Sequence, residues 1–211
     1  MIITIFGASG KIGRLLTEQA LGKGYIIKAY VHNLQEIGLS HPNLEIVKGT
    51  IHDYYKIKQA IAESNAVIST MEPSKSFKKK GYPVFEAHRH IIMAMERLNI
   101  KRFITIASPV IQSGKDAKSA VTIVPKLFIS LFRHRTYLEF VAIGHMIKKS
   151  TLDWTIVRYL YPTNKPHKGK IKVTSGKQKI NFAVSRADIA KFILDQVESG
   201  EYIHCMPIIG N

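Results

Sequence analysis

Residues Ile2–Gly13 read IITIFGASGKIG, and this stretch decides the fold. Ile2, Ile3, Ile5 and Phe6 make a short apolar run, the pattern of a strand buried on both faces. Gly7, Gly10 and Gly13 follow at intervals of three, and Ile12, Leu15, Leu16, Gln19 and Ala20 then repeat at helical spacing. A glycine triplet has meaning only between a strand and a helix, and both flanks are present. In that setting Gly7 permits a tight turn, Gly10 a close backbone approach to a pyrophosphate, and Gly13 close packing of helix on strand. The helix start adds free N–H groups and the positive end of a dipole. The spacing is GxxGxxG, which also fits a tight turn with no ligand; the context points to a dinucleotide site.

Working outward, strand-like runs alternate with helical periodicity. Strands are expected over Tyr25–Val31, Leu44–Lys48, Ala66–Thr70, Arg102–Ala107 and Trp154–Val157. Helices are expected over Tyr54–Ala62, Val84–Leu98, Thr136–Lys149 and Ala187–Val197, with Asp53 and Ser185 as N-caps of the first and last of these. This alternation predicts an α/β fold, a doubly wound and mostly parallel sheet with helices on both faces. Tyr202–Met206 reads as a last short strand, and Lys165–Lys179 as an extended or hairpin excursion turning at Ser175-Gly176.

Ligands of such sheets lie beyond the carboxyl ends of the strands. An acid after the second strand would bind a ribose 2′-OH, and a basic group would accept a 2′-phosphate. Here His32 and Asn33 stand there, with no acid before Glu36, which favours NADP(H) over NAD(H). Ser9 and Lys11 in the turn are further contacts for that phosphate. Thr50 and Ile51 follow the third strand, Ser69 and Thr70 end the fourth, and Ser108 follows the fifth, so all are candidate cofactor neighbours. His88 and His90 do not share a helix face, and no metal site is expected from them.

Composition narrows the rest. A chain of 211 residues with 45% hydrophobic content fits one globular domain over 1–211. A small substrate-side portion is expected around 109–135 and 159–182. Cys205 is the only cysteine, so no intramolecular disulfide framework exists, which suits a reducing compartment. No leader precedes the first strand and no long apolar run occurs, so a cytoplasmic protein without a membrane span is expected. The net charge of +16 suits an anionic partner: a phosphorylated cofactor, nucleic acid or an acidic membrane. Its lysines are scattered, with denser groups at 75–80 and 165–179, so a dedicated nucleic-acid face is the weaker reading. Ala120–Phe132 is apolar and followed by Arg133-His134-Arg135; Pro125 and Lys126 interrupt it, favouring a lid or a homodimer contact over a membrane-surface helix.

GASGKIG at 7–13, Ala107-Ser108-Pro109 after the fifth strand, STLDWTIVR at 150–158 and SRADIA at 185–190 occur in this order along the chain. Together they resemble the atypical short-chain dehydrogenase/reductases of the NmrA-like and biliverdin-IXβ reductase/NADH–flavin reductase group. The resemblance implies a Rossmann-type sheet, an NAD(P)H cofactor, and reduction of a flavin (FMN or FAD) or a similar planar aromatic acceptor by direct hydride transfer. It assigns Gly7, Ala8, Ser9, Gly10, Lys11, Ile12 and Gly13 to the cofactor turn and Ser108 to the nicotinamide. His32 stands where the family usually has an arginine, Thr50 where it commonly has an aspartate, and Tyr161 roughly where the biliverdin-reductase branch has a histidine. Tyr161 or Tyr159 would shape the substrate side, with Phe128 and Phe132 stacking on the acceptor. The Tyr-x-x-x-Lys pair of typical short-chain enzymes is absent, since Val141 stands four residues after Tyr137, which argues against alcohol–ketone and epimerase chemistry. The alternative is a non-catalytic, NmrA-like dinucleotide sensor that regulates a protein or nucleic-acid partner.

Overall fold

The computed structural model describes residues 1–34, 37–73, 81–119, 123, 127, 130–131, 133–166, 169–178 and 180–211. Strands β1 (Ile2–Phe6), β2 (Ile26–Val31), β3 (Leu44–Lys48), β4 (Ala66–Ser69), β5 (Arg102–Ala107), β6 (Asp153–Arg158), β8 (Lys172–Thr174) and β10 (Ile208–Gly210) form one sheet. Their order is β3-β2-β1-β4-β5-β6-β10-β8, parallel except for the antiparallel β10–β8 pair. β7 (Tyr161–Thr163) and β9 (Ala183–Ser185) pair separately as a two-stranded parallel ribbon. The α/β, Rossmann-type expectation is met.

Strand alternation divides the core into two layers. On one face Ile3, Ile5, Ile27, Ile68 and Ile104 meet Leu16 and Ala20 of α1 (Lys11–Gly22) and Ile189 and Ile193 of α5 (Arg186–Glu198). On the other, Phe6, Val67, Phe103 and Ile156 meet α2 (Tyr54–Ile61), α3 (Pro83–Arg97) and α4 (His134–Lys149) through Ile57, Ile91, Met95 and Phe140. Both expected caps are present: Asp53 accepts from Lys56 N at 3.0 Å, and Ser185 Oγ from Asp188 N at 2.9 Å.

Most expected bounds move by one or two residues, and two departures have clear local reasons. Tyr25 belongs to the turn closing α1, because its N–H donates to Ala20 O after Gly24 takes φ +80°. The strand expected at Tyr202–Met206 is instead a turn, with Cys205 N donating to Tyr202 O and His204 at φ +54°. Only a single bridge from Cys205 to Thr155 survives there, and the last strand is β10. Of the 165–179 excursion, Lys172–Thr174 is extended and pairs with β10. Phe128, Phe132 and residues 75–80 lie outside the described residues.

Candidate functional site

From β1 the chain runs out to β2 and β3 on one side and then crosses to β4 on the other, so a crevice opens beyond the carboxyl ends of β1 and β4. Gly7 starts the turn there at φ +78°, a conformation that suits glycine. Gly10 N donates back to Gly7 O at 2.9 Å, and α1 begins at the next residue. A Cβ on Gly13 would lie 2.1 Å from Gly7 O, so only glycine lets α1 approach the turn this closely. The Thr70 hydroxyl lies 3.0 Å from Gly7 O and 3.2 Å from Phe6 O, donating to one of these carbonyls. Thr70 therefore braces the turn from β4.

Gly10 is the N-cap of α1, with no side-chain cap and no acid in the first turn. The first-turn amides lack intrahelical acceptors, and no acid within that turn offsets the positive end of the dipole. Lys11 is exposed at this end, Ser9 is half-buried in the turn, and Ala8 and Ile12 are buried against the first core layer. These last two serve packing and offer a ligand their backbone alone.

Beside the turn lies a cleft of about 400 Å³. Gly7 and Ser9 edge it on one side, His32 after β2 on another, and Thr50, Ile51 and His52 after β3 on the third. Asn33 is exposed next to His32. The floor is aromatic, with the Phe6 and Tyr30 rings 4.9 Å apart. Tyr30 donates to Thr50 O at 2.8 Å; burial, helped by Asp53, pushes its hydroxyl up to about 12, so it stays a protonated donor. Gly49 makes room for it, since a Cβ there would lie 2.1 Å from the Tyr30 hydroxyl. Apolar floor and polar rim suit an adenosine, and the bare helix start suits a diphosphate. The residues present fit a dinucleotide.

Ser69 behaves differently from its neighbours. It is fully buried, and alternation places its side chain with Val67 on the α2–α3 side, so its hydroxyl does not line the crevice. Ser108 follows β5, half-buried, with Ser108 O accepting from Ile111 N. Ser69 pairs with Thr105, so Ser108 stands three residues, roughly 10 Å, above the end of β4. Glu72 accepts from the Tyr159 hydroxyl at 2.8 Å, tying the β4 exit to the β6 exit on either side of Ser108. Burial, then the Glu72 carboxylate, raises the Tyr159 hydroxyl well above its ordinary value, so it keeps its proton. Tyr161, in β7, is 67% exposed and donates its backbone N–H to Phe182 O. Of the two tyrosines, Tyr159 is the one turned inward.

The loop after Ser108 is held by a pair that the sequence did not single out. Arg158, at the end of β6, is 1% exposed and forms a bidentate ion pair with Asp116 at 2.6 and 2.7 Å. The guanidinium also donates to Ile111 O and Met206 O, each at 2.9 Å, while Asp116 accepts from Ser113 N. Ile111 in turn packs onto Gly144 of α4, where a Cβ would lie 2.5 Å from its Cγ2. His52, Tyr30 and Gly49 were also missed; a glycine directly after a strand was the available signal for the last. His88 is buried and satisfied, with Nδ1 2.8 Å from Val84 O and Nε2 3.0 Å from Thr105 Oγ1.

Among the described residues no helix is long and apolar enough to cross a membrane. The chain aligns with an uncharacterized protein of Sinorhizobium fredii at 36% identity over 76 residues, 36% of this chain and 19% of that protein. Its fold superposes on a short-chain dehydrogenase/reductase from Veillonella parvula in complex with NADP, with TM-score 0.81 and 22% identity over 100% of this chain and 94% of that one. It superposes equally on ChuY, an anaerobillin reductase from Escherichia coli O157:H7, with TM-score 0.80 and 20% identity over 100% and 97% of the two chains. The sequence model of the NAD(P)H-binding family matches residues 7–200, which takes in the glycine turn, the cleft and Ser108. The chain belongs to the NAD(P)H-binding family.

Proposed function

We propose that this protein is an NAD(P)H-dependent reductase of a flavin or a similar planar aromatic acceptor, with NADP(H) favoured over NAD(H). One observation carries the reading. The side-chain positions of Gly7 and Gly13 are closed by backbone and Thr70, while the amides of the first α1 turn are left without a side-chain cap. The NADP complex and the anaerobillin reductase among the structural neighbours support it.

When bound, the reduced nicotinamide supplies the hydride. The α1 amides hold the diphosphate, and the Phe6–Tyr30 floor seats the adenine. Ser108 orients the nicotinamide end with its hydroxyl. The Tyr159–Glu72 bond fixes the wall beside it, and the loop pinned by Arg158 and Asp116 borders the acceptor. No side chain has to deliver a proton, because a reduced flavin can take one from water. The contribution of the chain is position and exclusion of water, and positioning lowers barriers by up to roughly 7–11 kcal/mol in ideal cases.

The test is to mix protein, NADPH and FMN and follow the loss of nicotinamide absorbance. Turnover is expected, and Ser108→Ala is expected to slow it about tenfold, the worth of one well-placed hydrogen bond. Clear NADPH binding without turnover of FMN, riboflavin or a bilin would overturn the reductase reading and leave a dinucleotide sensor.

A further inference from the structure

The exposed apolar side chains are not spread evenly. Of the thirteen large hydrophobic side chains exposed among the described residues, seven fall within 111–141 and 161–182. Ile123, Leu127 and Leu131 are helical and 47%, 57% and 67% exposed, and a spacing of four sets them on one side of a helix. Leu138 and Val141 are exposed on α4, and Tyr161 and Phe182 meet beside the β7–β9 ribbon, where Tyr161 N donates to Phe182 O. The same two stretches carry eleven lysines and arginines against two acids. We infer that this face docks on the anionic surface of a lipid bilayer, with the apolar side chains entering the interface and the lysines meeting the headgroups. The inference is independent of the reductase reading.

Topology brings the two stretches together. They leave the carboxyl ends of β5 and β6, which are parallel neighbours, so both emerge at the same end of the sheet. Ala117 N donates to Ser175 O at 2.9 Å, joining the loop after β5 to the turn after β8. Ser113 and Lys115 border a cavity of about 270 Å³ together with Val173, Thr174 and Ser175. On its other side the same loop meets α4, where Ile111 and Gln112 border Tyr137 and Val141. Ile123 N donates back to Ser119 O at 2.9 Å, so the leucine stripe starts directly from this loop. Pro125 and Lys126 interrupt the apolar run in the sequence, yet the three outward side chains keep their spacing.

Charge decides what covers the face. Lys115, Lys118, Lys170, Lys172 and Lys177 are exposed, and no ion pair among the described residues engages them. Both acids are committed elsewhere. Asp116 pairs with the buried Arg158, and Glu139 accepts from Val84 N and Phe85 N at 2.8 and 3.1 Å. Glu72, at the same end of the sheet, accepts from Tyr159. A nucleic acid would engage the lysines and leave the aliphatic stripe without a partner. A second copy would cover the stripe but press two basic faces together, at a cost in like-charge repulsion. An anionic bilayer takes both parts: leucines bury at the acyl boundary while lysine stems lie along apolar surface and their ammonium groups reach the headgroups. The net charge of +16 adds a long-range attraction to the same surface.

Co-sedimentation of the full chain with vesicles tests this, at about 0.1 M salt, where screening is moderate. Vesicles of equal parts phosphatidylcholine and phosphatidylserine should carry the protein down, and vesicles of phosphatidylcholine alone should not. The double variant Leu127→Gln with Leu131→Gln should weaken binding at least about tenfold, the effect of one apolar side chain withdrawn from the interface. Lys172→Gln with Lys177→Gln should weaken it about 25-fold, about fivefold for each lysine lost from an anionic surface. All four positions are exposed, so Tm and NADPH affinity should match the parent in both variants. Three results would overturn the inference: no sedimentation with the anionic vesicles, parental sedimentation of the leucine variant, or a concentration-dependent dimer that the leucine substitutions abolish. Tighter binding to a single-stranded oligonucleotide than to the anionic vesicles, lost in the lysine variant and kept in the leucine variant, would overturn it in favour of nucleic acid.

Discussion

Gly13→Ala is the sharpest perturbation of the cofactor cradle. Its new methyl carbon would lie 2.1 Å from Gly7 O, 2.8 Å from Gly7 C and 2.8 Å from Thr70 Oγ1. Ordinary contact begins near 3.4 Å, so the start of α1 must retreat by roughly 1 Å, and two of the three atoms are backbone that cannot rotate away. Overpacking of this kind costs about 1–3 kcal/mol, or roughly 2–9 °C in Tm for a chain of this size. The retreat also withdraws the first-turn amides from the diphosphate, and losing one or two such bonds weakens NADPH binding about 30-fold or more. Gly10→Ala separates the two effects. Its methyl meets Gly7 O at 3.2 Å, a gap that closes with a small adjustment, yet it stands on the N-cap where the phosphate would rest. Its Tm should therefore stay within about 2 °C of the parent while NADPH affinity falls at least about tenfold. Gly22→Ala, with open space around it, is the control and should bind normally. Thermal denaturation and fluorescence titration with NADPH decide the matter. Parental affinity in both Gly10→Ala and Gly13→Ala would refute the cradle as the phosphate site.

Two further predictions concern the frame around the site. Burial lowers His88 to about 4, although its bond to Val84 O works the other way. Above about pH 6.5 the imidazole is neutral whether the chain is folded or not, and below that the unfolded chain takes the proton first. Stability should thus fall as pH drops from about 6.5 to about 4, by up to roughly 3 kcal/mol from this group, and urea unfolding of His88→Gln should show a flatter slope over that window. Asp116→Asn leaves the Arg158 guanidinium buried without its counter-charge, which costs about 3–5 kcal/mol and roughly 10 °C in Tm. The double variant Arg158→Met with Asp116→Leu should recover most of that loss, and a double variant no more stable than Asp116→Asn would show that the pair does more than satisfy itself.

What the sequence made legible, and what it did not, divides by the range of the interactions. β3 and β5 have the predicted bounds because their apolar runs end against polar or glycine residues next in the chain. The Asp53 and Ser185 caps are equally local, each bonding a backbone amide three residues on. The turn at Tyr202–Cys205 escaped because apolar spacing cannot report a left-handed φ at His204. At the site the same division holds. Gly7, Gly10 and Gly13 announce themselves because a steric demand between near neighbours leaves a mark on residue type. Arg158 and Asp116 are 42 residues apart, and Tyr159 and Glu72 are 87 apart, so each pair looks like ordinary surface polarity until the sheet brings it together. These two pairs tie the exits of β4 and β6 and the loop after Ser108 into one frame. On the proposed function, the half of the site that would hold the cofactor is thus written in short-range glycine spacing. The half that would border an acceptor is written in long-range polar pairs, which residue order along the chain does not display.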